Sequence, residues 1–390
     1  MNKLSIKDFD LRGKRVLMRV DYNVPMDKKG HILDDTRMRL TLPTINHILS
    51  QGGRVVLMSH LGRPKGHVDK TLSLHPIAKA LGEMLNQEVA FCTLDQPLGD
   101  SPVTLLENLR FDPREEDPTL DPEFAKTLAT YGDIYVNDAF GTAHRFHSST
   151  GTITEYFPHQ SAMGLLLERE LCALEPLCHK PPHPFCALIG GAKVSTKIGV
   201  MSALLDKVDH LFIGGGMLFT FLKVQGQKVG SSLVEESQLV TAEDFLTACE
   251  RSKVTLSFPE DIVIADQFSQ ESKIETISIN REIPDGWLGL DIGPRTIEAW
   301  RTPLTGAKAI FWNGPMGVFE IPKFAEGTKA LARLVAECPG MTVVGGGDSV
   351  AAINELDLSD KFTHISTGGG AALEYIENGH LPGIDALSHK

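Results

Sequence analysis

The chain has 390 residues, 42% of them hydrophobic and 23% charged, the length of about two domains and a globular composition that excludes wholesale disorder. No apolar run approaches the ~18 residues that span a bilayer, and the opening MNKLSIKDFDLRGKR lacks the pattern of a secretory signal, so a cytoplasmic protein is expected. A formal net charge of −12 excludes nucleic acid as a partner, because a phosphate backbone requires a basic surface.

In chain order, RVLMRV (15–20), RVVLMS (54–59), VTLLEN (103–108) and DIYVND (133–138) read as strands. Between them, TRMRLTLPTINHILSQGG (36–53) and LSLHPIAKALGEMLNQ (72–87) have helical periodicity, the first stopped by Gly52 and Gly53. Near-continuous apolar strands alternating with helices predict a parallel sheet covered on both faces. MGLLLERELCALEPL (163–177) repeats apolar residues at three and four, as an amphipathic helix does, and leads into HKPPHP (179–184), a stiff connector. The alternation resumes with CALIGG, HLFIGGG, DIVIAD (261–266), KAIFWNGP (308–315), MTVVGGG and HISTGGG. The predicted fold is α/β, two doubly wound parallel-sheet domains joined by a hinge helix. Residues 1–162 form the first domain, 163–184 the connector and 185–370 the second domain, with 371–390 a tail packing back near the hinge or the first domain.

Ligands in such sheets bind beyond the carboxyl ends of the strands, and the two halves end their strands differently. MRVDYN (18–23), VLMSHLGR (56–63), LLENLR (105–110) and VNDAFGTAHR (136–145) place arginine, histidine and carboxamide there. Arg37, Arg63, Arg110 and Arg145, with His60, are candidates for a basic patch, since guanidinium groups hold phosphate and carboxylate through paired hydrogen bonds. A surface salt bridge is the bland alternative for any one arginine; four near ligand edges argue against it. Asp21 and Asn23 can accept from a substrate hydroxyl or orient an arginine. His144 and His147 read as hydrogen-bonded loop histidines, and Asp138 either caps a turn or serves the site.

The second half ends four strands in glycines, whose turns expose backbone N–H groups that bind phosphate, helped by the dipole of a following helix. In GGAKVSTK, a helix starting near Ala192 puts Lys193 and Lys197 on one face at its N-terminus, with an anion between them. Asp348 and Ser349 open a helix after MTVVGGG, and Asp348 either caps it or ligates a nucleotide-bound Mg²⁺. WNGPMGVFE (312–320) adds Asn313 and Glu320 as hydrogen-bonding partners for a ribose. If the two domains face each other, their ligand edges form the walls of one cleft. The six cysteines contain no C-x-x-C pair and read as reduced thiols. The spacings of Cys172, Cys178, His179, His183 and Cys186 match no zinc pattern.

RVDYNVP, SHLGRPKG, LLENLRF, VNDAFGTAHRFHSS, GGAKVSTK, FIGGGM, WNGPMGVFE, GGGDS and STGGGA, in this order from Arg15 to Ala372, resemble the phosphoglycerate kinase family of the bacterial type. The resemblance implies two Rossmann-like domains, a hinge helix and a monomer. It implies reversible, in-line transfer of the acyl phosphate of 1,3-bisphosphoglycerate to MgADP, giving 3-phosphoglycerate and MgATP in glycolysis, in a cleft closed by hinge bending. By motif, Asp21, Tyr22, Asn23, Arg37, His60, Leu61, Gly62, Arg63, Arg110 and Arg145 would bind the phosphoglycerate. Gly191, Lys197, Gly214, Gly215, Asn313, Glu320, Gly346, Gly347, Asp348 and Ser349 would bind the nucleotide, with Asp348 at Mg²⁺. Arg37, Lys193 and Lys197 would face the transferring group. Tyr22, Met316 and Ser349 stand where the family commonly has phenylalanine, valine and threonine, and the stretch 266–291 matches less distinctively, leaving the adenine contacts open. Phosphoryl transfer asks for positioning and charge stabilisation, so the lack of an acid–base dyad is expected. A nicotinamide dehydrogenase would need a G-x-G-x-x-G turn after a strand, and a non-catalytic anion-binding protein has no use for paired lysines or the GGGDS turn.

Overall fold

The computed structural model describes residues 2–390. Residues up to Cys172, together with His380–Lys390, form one compact unit, and Ala173–Gly379 form another.

In the first unit, β1 (Arg15–Arg19), β2 (Arg54–Met58), β3 (Ala90–Cys92), β4 (Val103–Leu106), β5 (Ile134–Asn137) and β6 (Ser161–Met163) make one parallel sheet in the order β3-β4-β2-β1-β5-β6. All of β4 and β5 is buried, as are the last four residues of β1 and β2. Burial on both faces is why these runs are continuously apolar rather than alternating. The helices are α1 (Thr36–Ser50), α2 (His75–Leu85), α3 (Pro113–Glu116), α4 (Glu123–Ala129) and the start of α5 (Leu165–His179), whose residues from Ala173 on belong to the second unit. Met38, Ile45 and Ile48 of α1 and Ile77 and Leu81 of α2 pack in one core with Val16, Met18, Leu57, Leu105 and Val136. The strands β2, β4 and β3 lie to one side of β1, with β5 and β6 to the other, so the loops leaving β1 and β5 diverge where such sheets open a ligand crevice.

In the second unit, β7 (Phe185–Ile189), β8 (His210–Ile213) and β9 (Thr255–Ser257) precede β10 (Asp261–Ala265), β11 (Ile274–Ser278) and β12 (Leu288–Ile292); β13 (Ala309–Asn313), β14 (Met341–Gly345) and β15 (His364–Ile365) follow. Six of them form a parallel sheet in the order β15-β14-β13-β7-β8-β9. The run 261–266, expected as one more parallel strand, is instead the centre of an antiparallel sheet, β11-β10-β12. The short connection 266–273 leaves no room for the crossover of a dozen or more residues that a parallel neighbour needs. The helices here are α6 (Ile198–Leu204), α7 (Leu218–Val224), α8 (Leu239–Arg251), α9 (Pro294–Thr305), α10 (Glu326–Ala336), α11 (Gly347–Glu355) and α12 (Gly369–Asn378). Trp300, Leu331, Val335 and Ile353 pack with Leu188, Phe212, Ile310, Trp312 and Val344, while α7 and the small sheet share a second core around Phe219, Ile262 and Ile277.

The expected tail divides. Residues 371–378 lie within α12 of the second unit, whereas 380–390, with α13 (Pro382–Asp385), belong to the first. There Leu4 N–H donates to Ser388 O at 2.9 Å, and the buried Lys3 ammonium donates to the carbonyls of Asp385 and Leu387, both at 2.6 Å. Among the described residues no helix is long and apolar enough to cross a membrane.

Asp138, just past β5, is fully buried, and its role is settled by its donors. Its carboxylate receives Thr44 Oγ1 at 2.6 Å and the N–H groups of Leu166 at 2.9 Å and Leu167 at 3.1 Å. Thr44 Oγ1 in turn accepts the N–H of Leu165 at 3.0 Å. The first three amides of α5, which have no acceptor within the helix, are thus satisfied by two side chains. Burial pushes the Asp138 pKa up to about 7 against the pull of these donors. Asp138→Ala strands three donors and is predicted to cost about 2–4 kcal/mol in chemical denaturation, with Asp138→Asn costing less. An alanine variant as stable as the parent would show that the cap contributes nothing.

Candidate functional site

The loops leaving β1, β2, β4 and β5 assemble an arginine-rich cluster in the first unit, the candidate anion site. Asp21 Oδ2 accepts from Arg37 Nη1 at 2.7 Å, and its Oδ1 lies 3.9 Å from His60 Nε2. Arg110, its side chain 11% exposed, donates Nη1 to Gly62 O at 3.0 Å and lies with Nε 3.0 Å from Glu116. Beneath them Arg19 is fully buried. Its Nε donates to Ser149 Oγ at 2.8 Å, Nη1 donates to the carbonyl of Val20, and Nη2 lies 3.2 Å from His60 Nδ1 and 3.7 Å from the equally buried Glu115. Glu115 also accepts Ser149 Oγ at 2.5 Å and its N–H at 3.1 Å.

A guanidinium only donates, so His60 Nδ1 accepts from Arg19 and the ring proton sits on Nε2, facing Asp21. Burial, then the charges of Arg19, Arg110 and Arg37, hold the His60 pKa well below its ordinary value. Burial, then the charges of Arg19, Arg110 and Arg145, bring His147 down to about 3. Both imidazoles are therefore neutral near pH 7, and the positive charge of the site is carried by arginines.

Of the residues expected here, Asp21, Arg37, His60 and Arg110 stand together. Arg145 is exposed and acts on the site through its charge on His147. Arg63 is exposed and forms no ion pair among the described residues. Asn23 Oδ1 accepts the N–H of Gly62 at 2.9 Å, so Asn23 shapes that turn. Tyr22 and Leu61 have buried side chains, the Tyr22 hydroxyl bonding Thr41 at 2.8 Å, so only their backbones can face a ligand. Arg19 escaped the sequence reading; its one signal was a charge inside an otherwise apolar strand.

The second unit holds a cavity of ≈ 490 Å³, the size of a small-molecule site. Its walls are apolar, including Leu218 and Phe219 of α7, Leu288 and Leu290 of β12, Met316 and Val318. Phe268 also lines it and is 62% exposed, as are Glu320 and Asp348 to a degree that puts them at its rim. Phe219, Leu288 and Leu290 were missed because an apolar wall and an apolar core look alike in sequence.

Lys197, the N-cap of α6, donates its ammonium to Asn313 Oδ1. Burial lowers its pKa to about 8, opposed by the charge of Asp348. Asn313 is buried and its Nδ2 has no partner among the described residues, which leaves a second donor beside Lys197. The pKa of Asp348 is raised, by burial and then by Glu320, against the pull of Lys197. Ser349 is buried and its Oγ accepts Gly314 N–H at 2.9 Å, so its hydroxyl fixes the 313–316 turn.

Two expectations are corrected. Residues 194–196 form a 3-10 turn and α6 starts only at Ile198, so Lys193, exposed and extended, does not share a helix face with Lys197. Glu235 clamps that turn by accepting the N–H and Oγ of Ser195 at 3.1 and 2.6 Å. Four amides of the first two glycine turns are also not free. Gly190 and Gly191 donate to Asn313 O and Pro315 O, each at 2.9 Å, while Gly214 and Gly215 donate to Ile189 O and Met316 O, each at 3.1 Å. These bonds lace three loops so closely that a Cβ on Gly215, at φ +71, would lie 2.6 Å from Gly191 N. The third and fourth turns run straight into α11 and α12, whose first amides have no acceptor in their own helix.

Among the described residues no three His, Cys, Asp or Glu side chains group to hold a metal. One carboxylate, Asp348, beside Lys197 fits an Mg²⁺ held mainly by nucleotide oxygens and water.

The family model for phosphoglycerate kinase matches residues 6–379. A phosphoglycerate kinase of Thermosynechococcus vestitus is 50% identical over 404 aligned residues, covering 99% of both chains, and one of Moorella thermoacetica is 49% identical over 399, covering 100% of both. Among solved structures, phosphoglycerate kinase from Coxiella burnetii superposes with a TM-score of 0.88 at 40% identity, and that from Pyrococcus horikoshii with 0.83 at 31%, each over 98% of both chains. With two parallel α/β units, an arginine-rich cluster on one and a largely apolar cavity rimmed by Glu320 and Asp348 on the other, the chain belongs to the phosphoglycerate kinase family.

Proposed function

We propose that the anion site of the first unit holds 3-phosphoglycerate or 1,3-bisphosphoglycerate and that the cavity of the second holds MgADP or MgATP. The observation that carries this is a largely apolar cavity with Asp348 and Glu320 at its rim and the Lys197 ammonium close enough to Asp348 to feel its charge. Apolar walls suit a base, and a half-buried ammonium beside the Asp348 carboxylate suits phosphates that bring their own metal. Asp348 would hold the Mg²⁺ that arrives with the nucleotide, and the ion would supply positive charge against the phosphates.

The reaction of the family is reversible transfer of the acyl phosphate of 1,3-bisphosphoglycerate to ADP. The attacking oxygen is already anionic and the leaving carboxylate is stable, so no side chain has to take a proton. A neutral His60 accords with that: through Nε2–H it donates a hydrogen bond instead of acting as a base. Asp21 holds the Arg37 guanidinium in place. Arg37 and Lys197 then supply the positive charge that stabilises the transferring phosphoryl group, with Lys193, on its exposed turn, able to swing toward it.

Removing one preorganised donor of this kind costs about 10²-fold or more in kcat. Arg37→Ala and Lys197→Ala should each show such a loss in steady-state assays, and near-normal turnover in either would take that residue out of the reacting site.

The lowered Lys197 pKa adds a pH dependence. Below about pH 8 the free enzyme carries the ammonium; above it, nucleotide binding must take up a proton to restore it. At saturating 3-phosphoglycerate, kcat/KM for MgATP should fall above about pH 8 with a slope approaching tenfold per unit. Lys197→Arg, which stays charged, should lack this limb. The same fall in the arginine variant would assign it to another group.

A further inference from the structure

Asp291 of β12 has no part in the division of labour above, yet it lines the cavity of the second unit as a deeply buried carboxylate, 4% exposed. Its Oδ2 accepts the N–H of Gly327, in the first turn of α10, at 2.7 Å, and its Oδ1 accepts the N–H of Ile292 at 2.8 Å. It forms no ion pair among the described residues. A side-chain carbon on either Gly317 or Gly327 would run into Oδ1, so the carboxylate is wedged between the loop 314–320 and α10. Two further bonds close the same seam: Met316 N–H to Thr328 Oγ1 at 3.0 Å and Val318 N–H to Leu290 O at 2.8 Å. The loop held in this way supplies Met316, Gly317 and Val318 to the cavity wall and Glu320 to its rim.

Burying a carboxylate without a counter-ion is costly. Burial, with the nearby Glu326, pushes the Asp291 pKa up to about 7. A group kept at such a cost fixes something that a smaller apolar residue would leave loose. We propose that Asp291 is a positioning residue for the nucleotide: it holds the loop 314–320 at the spacing from β12 at which the cavity accepts the adenosine end. This rests on reading the cavity as the nucleotide site.

The test is calorimetric titration of the full chain with MgADP and, separately, with 3-phosphoglycerate, alongside thermal unfolding, for the parent and for Asp291→Asn, Gly317→Ala and Lys197→Ala. Asp291→Asn keeps the shape but turns one acceptor into a donor facing an N–H; MgADP affinity should drop roughly tenfold while 3-phosphoglycerate affinity stays unchanged. Gly317→Ala leaves both acceptors in place, pushes a carbon against the carboxylate and should weaken MgADP selectively as well. It decides the matter should the asparagine variant not fold. Unchanged MgADP affinity in the folded variant, or equal weakening of both ligands, overturns the positioning role. If Lys197→Ala weakens MgADP while Asp291→Asn and Gly317→Ala do not, that role alone falls. If Lys197→Ala also binds MgADP like the parent, the nucleotide reading of the cavity falls with it.

Discussion

In the two large sheets every strand runs in the same direction, so the loops leaving their carboxyl ends converge on one edge however far apart they lie in the chain. This constraint brings residues 21, 37, 60 and 110 to one place in the first unit. In the second it brings the turns after β7, β8, β13 and β14 into backbone contact. The antiparallel sheet β11-β10-β12 then adds a feature that a parallel sheet alone lacks, an apolar side wall contributed by Leu288 and Leu290. Because the strands are buried on both faces, polar chemistry is confined to these ends.

The two edges solve the electrostatics in opposite ways. The anion site stacks arginines and keeps its histidines neutral. The innermost cation, Arg19, survives full burial because Glu115, Ser149, Val20 O and His60 take up its donors. Its dipoles and charges are fixed in advance, which is what the proposed binding of a highly charged anion asks of it. The cavity of the second unit instead presents mostly hydrocarbon, and the Lys197 ammonium near its Asp348 rim loses part of its proton affinity to burial. A base can be held by contact area there, with charge needed only where the phosphates begin.

The strands 15–20, 54–59, 103–108 and 133–138 were legible in the sequence because double-sided burial writes an uninterrupted apolar run. The arginines were legible because Arg63, Arg110 and Arg145 follow such runs in an acidic chain, with Arg37 opening the helix after the first. The destination of hydrogen bonds was not legible. A glycine turn looks the same whether its amides face a phosphate or neighbouring backbone, and at Gly190, Gly191, Gly214 and Gly215 they face strand ends and loops. Spacing alone also does not distinguish an α-helical start from the 3-10 turn that separates Lys193 from Lys197. Asn23 and Ser349, polar residues at strand ends, spend their oxygens on the turns that shape the site. The antiparallel sheet was hidden for a related reason: 261–266 is apolar enough to be a buried strand, and strand direction is set by the length of the connection to the next strand.

The central claim is that an anion site and a nucleotide cavity on separate units serve one phosphoryl transfer. The most direct measurement is ADP formation from MgATP by the purified chain, with and without 3-phosphoglycerate. The account predicts turnover that depends on 3-phosphoglycerate and saturates with it. ADP release at the same rate without 3-phosphoglycerate, or no turnover while both ligands bind, would contradict it.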